Sequence, residues 1–415
     1  MEEPKATPGG DISQATKGIK GDNSFQDYVP MTKSLKEIRA AIPARLFKRS
    51  TTKGLMYLGR DLVMMGLFFC LATFIDPFFS SSSTRSLLSL SGAKAARWAA
   101  WGVYWWFQGL VMTGLWVIGH EAGHLALSPS VPICHIIGLI LHSFLLTPYF
   151  SWRYSHHTHH TYIASMEKDN FGIPDTRSDL SLPSEKHQSV SYSEFFEDTP
   201  MFNLLYLVGR QIIGFPAYLL WNASGQKVPR WTNHFNPNSV LFTSKQRNAV
   251  ILSDIGVLTM AGIIAYAVSK VGAATVFKYY GLPWVLVGHW ITMAVFLHHT
   301  DPRAPRFRGN AWNFQRGAAA TVDREFLGWQ GRFFLHDISH YHVIHHYFSR
   351  MPFYNGEEAT VYLKEILGPY YIHSSESVFK SLWDTYRQCK FIEDDGDIVF
   401  YKDNKGKAAR QFAQG

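Results

Sequence analysis

Residues 125–152, LALSPSVPICHIIGLILHSFLLTPYFSW, decide the topology of the chain. The stretch is apolar enough to cross a bilayer once, since about 20 apolar residues make one helical crossing. Just before it stands His120-Glu121-Ala122-Gly123-His124, and just after it HHTHH at 156–160. A single crossing would put these two histidine clusters in different compartments. If they share one metal site, the stretch must enter and leave by the same face, as a re-entrant or interfacial segment. The same logic applies to 201–221, MFNLLYLVGRQIIGFPAYLLW, which Arg210 and Pro216 interrupt.

The composition around these segments points to lipid. Aromatic residues make up 15% of the 415 and charged residues only 17%. The segment Trp98 to Gly119 carries no formal charge and is long enough to span. Further spans are expected at 55–79, 249–269 and 279–298, each apolar apart from residues such as Arg60, Asp61, Asp254 and His289. About four transmembrane helices result. The net charge of +8 is concentrated in Arg39, Arg45, Lys48, Arg49 and Lys53 before the first span and Arg303, Arg306 and Arg308 after the last. By the positive-inside rule both termini face the cytosol. Charge that borders spans, without forming a stripe, argues against nucleic acid as a partner.

The three cysteines, Cys70, Cys134 and Cys389, have spacings that fit neither a disulfide framework nor a metal ligand set. With no charged n-region ahead of an apolar core, no cleaved signal peptide is expected, and the first span serves as insertion signal. Residues 1–33 are polar and read as a disordered tail. Ser34 and Glu37 form a capping-box signature for a short helix on the membrane surface, limited by Pro43. One membrane domain is expected over 34–395, with a polar cytosolic loop at 168–200 and a cytosolic tail at 396–415. The soluble part from 354 on should hold a helical stretch and a short hairpin around EDDGDIVF.

Many of the 19 histidines fall into short clusters. HHTHH contains H-x-x-H-H as His156, His159 and His160, and HVIHH repeats it as His342, His345 and His346. On a helix, positions i, i+3 and i+4 share a face, as do His120 and His124. FLHHTDP places His298 and His299 at the end of the last span. Taking one of that pair gives nine nitrogen ligands. H-E-x-x-H alone would suggest an intramembrane zinc metalloprotease with Glu121 as general base. A catalytic zinc uses three protein ligands, which leaves both H-x-x-H-H repeats unexplained. Nine imidazoles suit two ions of higher coordination number, and imidazole suits iron. The isolated His135, His142, His187, His234, His289 and His373 read as packing or surface residues. Trp101, Tyr104, Trp105, Trp106 and Phe107 read as interfacial anchors in preference to the lining of an acyl tunnel.

In this order and between these spans, the boxes resemble those of the membrane-bound fatty acid desaturases, and within them the fungal and plant oleate Δ12 and ω3 group. The resemblance is carried by IPARLFKRS, WVIGHEAGHLALS, YFSWRYSHHTHH, PAYLLWNASG, FLHHTDP, TVDREF and HVIHHYFSRMPFYN, over about residues 36–395. It implies an all-α integral membrane protein with interfacial or re-entrant helices and a cytosolic, histidine-rich diiron cap. The implied ligands of two non-haem Fe ions are His120, His124, His156, His159, His160, His299, His342, His345 and His346. O2 is the implied co-substrate and cytochrome b5, with its reductase, the implied electron source. The implied reaction converts an oleoyl chain, on phospholipid or coenzyme A, to linoleoyl in a multi-pass endoplasmic reticulum protein, with homo-oligomers allowed for.

The sequence departs from the group at several points. Ala122 replaces the usual cysteine of the first box, and His157 and Thr158 stand where many relatives carry Arg-Arg or Ala-Arg. LHDISHYHVIHH adds His336, Asp337 and His340, and His336 and His340 join Glu121 as candidate catalytic residues. His340 would act as an extra ligand or orient one. Glu121 would orient a ligand or contact metal-bound water, or else form a surface salt bridge. These departures keep an acetylenase, conjugase or hydroxylase outcome open beside Δ12 desaturation. The chain has no H-P-G-G segment, so the donor is expected to be a separate protein, steered by Arg153, Arg306 and Arg308.

Overall fold

The computed structural model describes residues 26–184, 192, 196, 199–228 and 231–412. Among the described residues four helices are long and apolar enough to cross a membrane: Thr51–Ser80, Pro200–Trp221, Ser244–Val271 and Ala273–His299. The 98–119 segment lies within a 34-residue helix, Leu90–Gly123, which at about 1.5 Å per residue is also long enough. Its Trp, Tyr and Gly residues dilute its hydropathy, and it stands outside the set of four.

The long helices are numbered here in chain order. Helix α1 (Thr51–Thr73) starts from a Ser50 cap, and α2 (Leu90–Gly123) from a Ser89 cap. The two run antiparallel. At one end Thr51 bonds Ser128 at 2.7 Å, midway Gln108 donates to the Met65 carbonyl, and at the far end Asp76 accepts from Arg97 and Trp101. Helices α6 (Arg247–Val271) and α7 (Leu282–His299) form a second hairpin, joined to the first where Lys278 meets Asp76 at 2.6 Å. The opposite ends of α2 and α7 carry His120 and His299, so both hairpins deliver histidines to one side.

Between them lies the stretch that opened the sequence reading. It forms α3 (Val131–Phe144) and α4 (Tyr149–Tyr162), bent by 107°. Broken backbone inside a membrane needs partners for its freed polar groups. Here Trp284 Nε1 donates to the Leu145 carbonyl at 2.8 Å, and the Phe150 amide donates to Ser253 Oγ at 2.7 Å. Gly138 leaves no room for a Cβ against the Tyr149 ring, which lets the two arms close. Both ends therefore return to the histidine side, as the sharing of one site demanded.

Helix α5 (Pro200–Trp221) contains Pro216 and stops at Asn222, whose φ of 52° is left-handed. Although long enough to cross, it is held at both ends by the cap. Tyr206 stacks on Tyr386 at 5.4 Å, and just past the other end Gln226 donates to the Asp169 carbonyl while Lys227 pairs with Asp175. By length and composition α5 is a candidate span, where the sequence reading expects a re-entrant or interfacial course for 201–221.

The cap corrects three expectations. Residues 1–25 lie outside the described residues, but 26–33 are ordered: Gln26–Tyr28 pairs in parallel with Arg410–Phe412, and Tyr28 and Met31 are buried. The short helix Leu35–Ala40 has its Ser34/Glu37 capping box, yet it packs into the cap. Ile38, Ile42 and Leu46 join Val343, Ile344, Leu363 and Leu367, the last two from α8 (Gly356–Leu367). The folded unit also continues past residue 395, because Ile398–Val399 pairs with Arg306–Phe307 and Val399, Phe400 and Tyr401 are buried. Helix α9 (Val378–Gln388) completes the cap, followed by a turn that brings Phe391 against Lys402. Part of the 168–200 loop, with His187, lies outside the described residues.

Candidate metal centre

Four segments deliver imidazoles to one place: the last turn of α2, the last turns of α4, the end of α7, and the short helix His342–Tyr347. His120, His124, His156, His160 and His345 form one group whose candidate ligand atoms lie within 4.8 Å of one another. His159, His299 and His346 form a second such group. His342 joins it, with Nε2 3.2 Å from His299 Nε2 and 3.0 Å from His346 Nε2. The rings of His160 and His346 stack at 4.0 Å where the groups meet. All nine histidines named from the sequence are thus brought together. His298 is not among them; its Nδ1 donates to the Val322 carbonyl at 2.7 Å.

The spacing fits metal binding. Nε2 atoms of His120 and His156, and of His156 and His160, are 3.0 Å apart; those of His120 and His124 are 3.3 Å apart. Imidazoles about 2.1 Å from one ion and roughly at right angles give nitrogen edges of about 3.0 Å. Shared protons cannot satisfy this pattern, because His120 and His156 each face two nitrogens and one proton serves one pair. Burial and neighbouring imidazoles hold His342, His345 and His346 well below the usual histidine range, so they are neutral with a lone pair free. Groups of five and four imidazoles each exceed the three protein ligands of a catalytic zinc, and their pairing leaves the protease arrangement without support.

Negative charge comes from two carboxylates. Glu121 is fully buried, so it forms no surface salt bridge. Its Oε1 lies 3.2 Å from His120 Nδ1 and 3.7 Å from His345 Nδ1, and neither oxygen has a hydrogen-bond partner. An unpaired buried carboxylate is costly unless positive charge lies close by, as ions held by those imidazoles would supply. Asp169 accepts from His159 Nδ1 at 2.9 Å and from the Ala164 and Phe171 amides. Asp169→Ala is therefore expected to lower metal affinity or turnover about 10- to 100-fold, read as metal content per chain and product rate.

His336 and His340, offered as catalytic candidates by their position, stay out of the centre. His336 Nε2 is 2.6 Å from Asp61 Oδ2 and its Nδ1 is 3.2 Å from an Arg60 nitrogen, so both ring nitrogens are engaged. His340 lies between Asp337 and Glu325, at 3.5 and 3.6 Å. The arginines expected to steer a partner are occupied too. Arg306 is buried and its guanidinium bonds the His299 carbonyl, Arg153 bonds the Gly123 carbonyl, and Arg308 bonds the Gly396 and Glu393 carbonyls. Arg306 and Arg324, which bonds the Leu297 carbonyl at 2.8 Å, satisfy the open carbonyls at the end of α7 and fix the turn that holds His299.

An apolar cavity runs from the histidines between α2, α5 and α7. His120, His156, His159, His299 and His342 stand at its head, and Trp116, Val117 and Ile291 line its walls. From His299 back to Trp290 it follows α7 for about 13 Å. Trp152 stacks on His156 at 4.4 Å and closes one side. Trp101, Tyr104, Trp105, Trp106 and Phe107 are absent from the lining; Trp101 and Tyr104 pack on Tyr279, and Trp106 donates to Gln330. His142 likewise serves packing, stacked on Trp116 at 5.2 Å. Trp152 and Asp169 had no spacing signal in the sequence; an acidic residue near a histidine box was the sole hint.

Residues 96–377 match the family model for fatty acid desaturases. The chain is 42% identical over 375 residues to a Δ12 fatty acid desaturase of Mortierella alpina, covering 89% of this chain and 90% of that one. It is 38% identical over 407 residues to an oleate hydroxylase of Claviceps purpurea, covering 92% and 83%. It is 36% identical over 390 residues to an oleoyl-12-hydroxylase of Ricinus communis, covering 92% and 94%.

Proposed function

Since this chain belongs to the fatty acid desaturase family, a group of oxidoreductases, we propose that it converts an oleoyl chain to linoleoyl at Δ12. One observation carries the reading: two adjoining groups of buried imidazoles, nine in all, present five of their members at the head of an apolar cavity. Two iron ions held there would activate O2 with electrons from cytochrome b5 and supply the oxidising power that removes two hydrogens from the chain, with water as the other product. His120, His124, His156, His160 and His345 would hold one ion, and His159, His299, His342 and His346 the other.

The remaining work falls to the protein. An unactivated methylene has no polar handle, so its position must come from shape. Trp116, Val117, Ile291 and Trp290 confine the chain, and the dry walls keep water from the reacting carbon. Asp169 holds His159 by its far nitrogen, which fixes that ring, while the Glu121 carboxylate faces His120 and His345 as the nearby negative charge. The cap, with residues 26–33 and 398–412, lies on the histidine side of the spanning helices, in keeping with a cytosolic face of the endoplasmic reticulum reached by an electron donor.

The similarity to two oleate hydroxylases favours one rival, oxygen insertion at the same carbon. Yeast lacking Δ12 activity and expressing this chain should accumulate a new linoleate methyl ester, seen by gas chromatography and mass spectrometry. A hydroxyoleate peak in its place, or a new product only after linoleate is fed, would overturn the Δ12 desaturase assignment.

A further inference from the structure

Arg210 is the one charged residue of α5, a helix otherwise suited to lipid. Its guanidinium lies 4.2 Å over the Phe296 ring and has no hydrogen bond or ion pair among the described residues. A cation held at the edge of a hydrocarbon layer without a counterion is costly, and such residues mark ligand paths. Arg210 stands where the acyl cavity opens into a broad groove, beside Gly172, Ala223, Ser224 and Thr300, which border both. Small side chains keep this portal open.

The lining of the groove has the composition of a membrane interface. Phe202, Tyr206, Trp221 and Trp231 line it and are exposed, and Trp and Tyr collect at the membrane interface. Of the other cations of the groove, Lys227 is already paired with Asp175 and Asp179, and Lys390 lies over the Tyr386 ring at 3.6 Å. The uncompensated charge at the portal is therefore that of Arg210, and its planar fork suits two oxygens of one phosphate.

We propose that Arg210 binds the phosphate of the acyl carrier, so that the groove seats a phospholipid headgroup while the acyl chain threads through the portal to the histidines. In a phospholipid one glycerol unit separates the acyl ester from the phosphate. In an acyl-coenzyme A thioester a whole pantetheine arm intervenes, which would carry the phosphates past the portal. The proposal rests on the desaturase reading and names the substrate class for the same cavity.

The test uses the purified full chain, loaded with iron, and measures binding of radiolabelled dioleoylphosphatidylcholine, oleoyl-coenzyme A, oleate and dioleoylglycerol, which lacks the phosphate. The wild type is expected to prefer the phospholipid to the diglyceride by on the order of tenfold or more. Arg210→Gln should lose that preference while binding dioleoylglycerol as before, and Arg210→Lys should keep part of it. In microsomes Arg210→Gln should raise KM for the phospholipid with kcat changed by less than about twofold. Retention of the preference by Arg210→Gln would overturn the proposal, as would a selective loss of oleoyl-coenzyme A or oleate binding. If Arg210→Gln fails to fold, the Arg210→Lys preference decides alone: undiminished preference counts against a phosphate gripped by the fork. Absence of linoleate from wild-type cells would sink the desaturase reading, while the binding preference would still decide the role of Arg210.

Discussion

Replacing His345 with alanine is expected to abolish desaturation and to strip metal from the chain. His345 closes the group of five: its ring lies 4.8 Å from His120, 4.7 Å from His124 and 4.8 Å from His160. It is also one of two imidazoles that face the Glu121 carboxylate. Its loss opens one side of that group and leaves Glu121 with His120 alone. Linoleate should fall below detection in yeast, and metal analysis of the purified variant should show fewer ions per chain than the wild type. Residues that work as one unit are not additive, so the double variant with His160→Ala should lose no more than the single one. A His345→Ala protein with full metal content and measurable product would remove His345 from the ligand set.

Asp61→Ala is expected to destabilise the protein by roughly 3–5 kcal/mol, the usual cost of removing one partner from a buried ionic network. Asp61 is fully buried on α1, where it accepts from Arg60 at 2.8 Å and faces His336 Nε2 at 2.6 Å. Arg60 also donates to the Phe333 carbonyl at 2.8 Å, so the network ties the first spanning helix to the segment that leads into the third box. Thermal unfolding of the detergent-solubilised protein, followed by size-exclusion chromatography of a fluorescent fusion, should show the midpoint fall by several degrees. Asp61→Asn keeps an acceptor and should fall less. An unchanged midpoint for Asp61→Ala would mean that the network adds nothing to cohesion between α1 and the cap.

The histidine centre was legible because spacing encodes direction on a helix. His156, His159 and His160 lie on α4 and point one way, as the i, i+3, i+4 rule requires. His336 and His340 were candidates by proximity to the third box alone, and proximity in sequence failed because the chain is not helical there. His336 and Asp337 take left-handed φ values of 53° and 59°, and the helix of the third box begins only at His342. Polarity hid the ends of the chain. Tyr28 and Met31 sit in a tail of polar residues and become core by meeting distant segments, the strand near 410 and, for Tyr28, the rings of Phe307, Tyr370 and Phe400, a pairing no local pattern announces. Arg306 looked like surface charge for the same reason: its partner, the His299 carbonyl, belongs to a helix end and leaves no trace in composition. The re-entrant stretch was readable because two histidine boxes cannot share a site across a bilayer.

The ligands of each metal group come from both early and late parts of the chain. Without His345 the first group is incomplete, and without His342 and His346 so is the second. During synthesis the hairpin of α1 and α2 and the bent arms enter the membrane long before residue 342 leaves the ribosome. Ions held by these histidines would therefore enter late in maturation and would fasten early and late segments together once the whole chain is made. A cell starved of the metal would accumulate finished but unfastened polypeptide, so supply of the ion would govern how long this protein survives quality control as well as how fast it works.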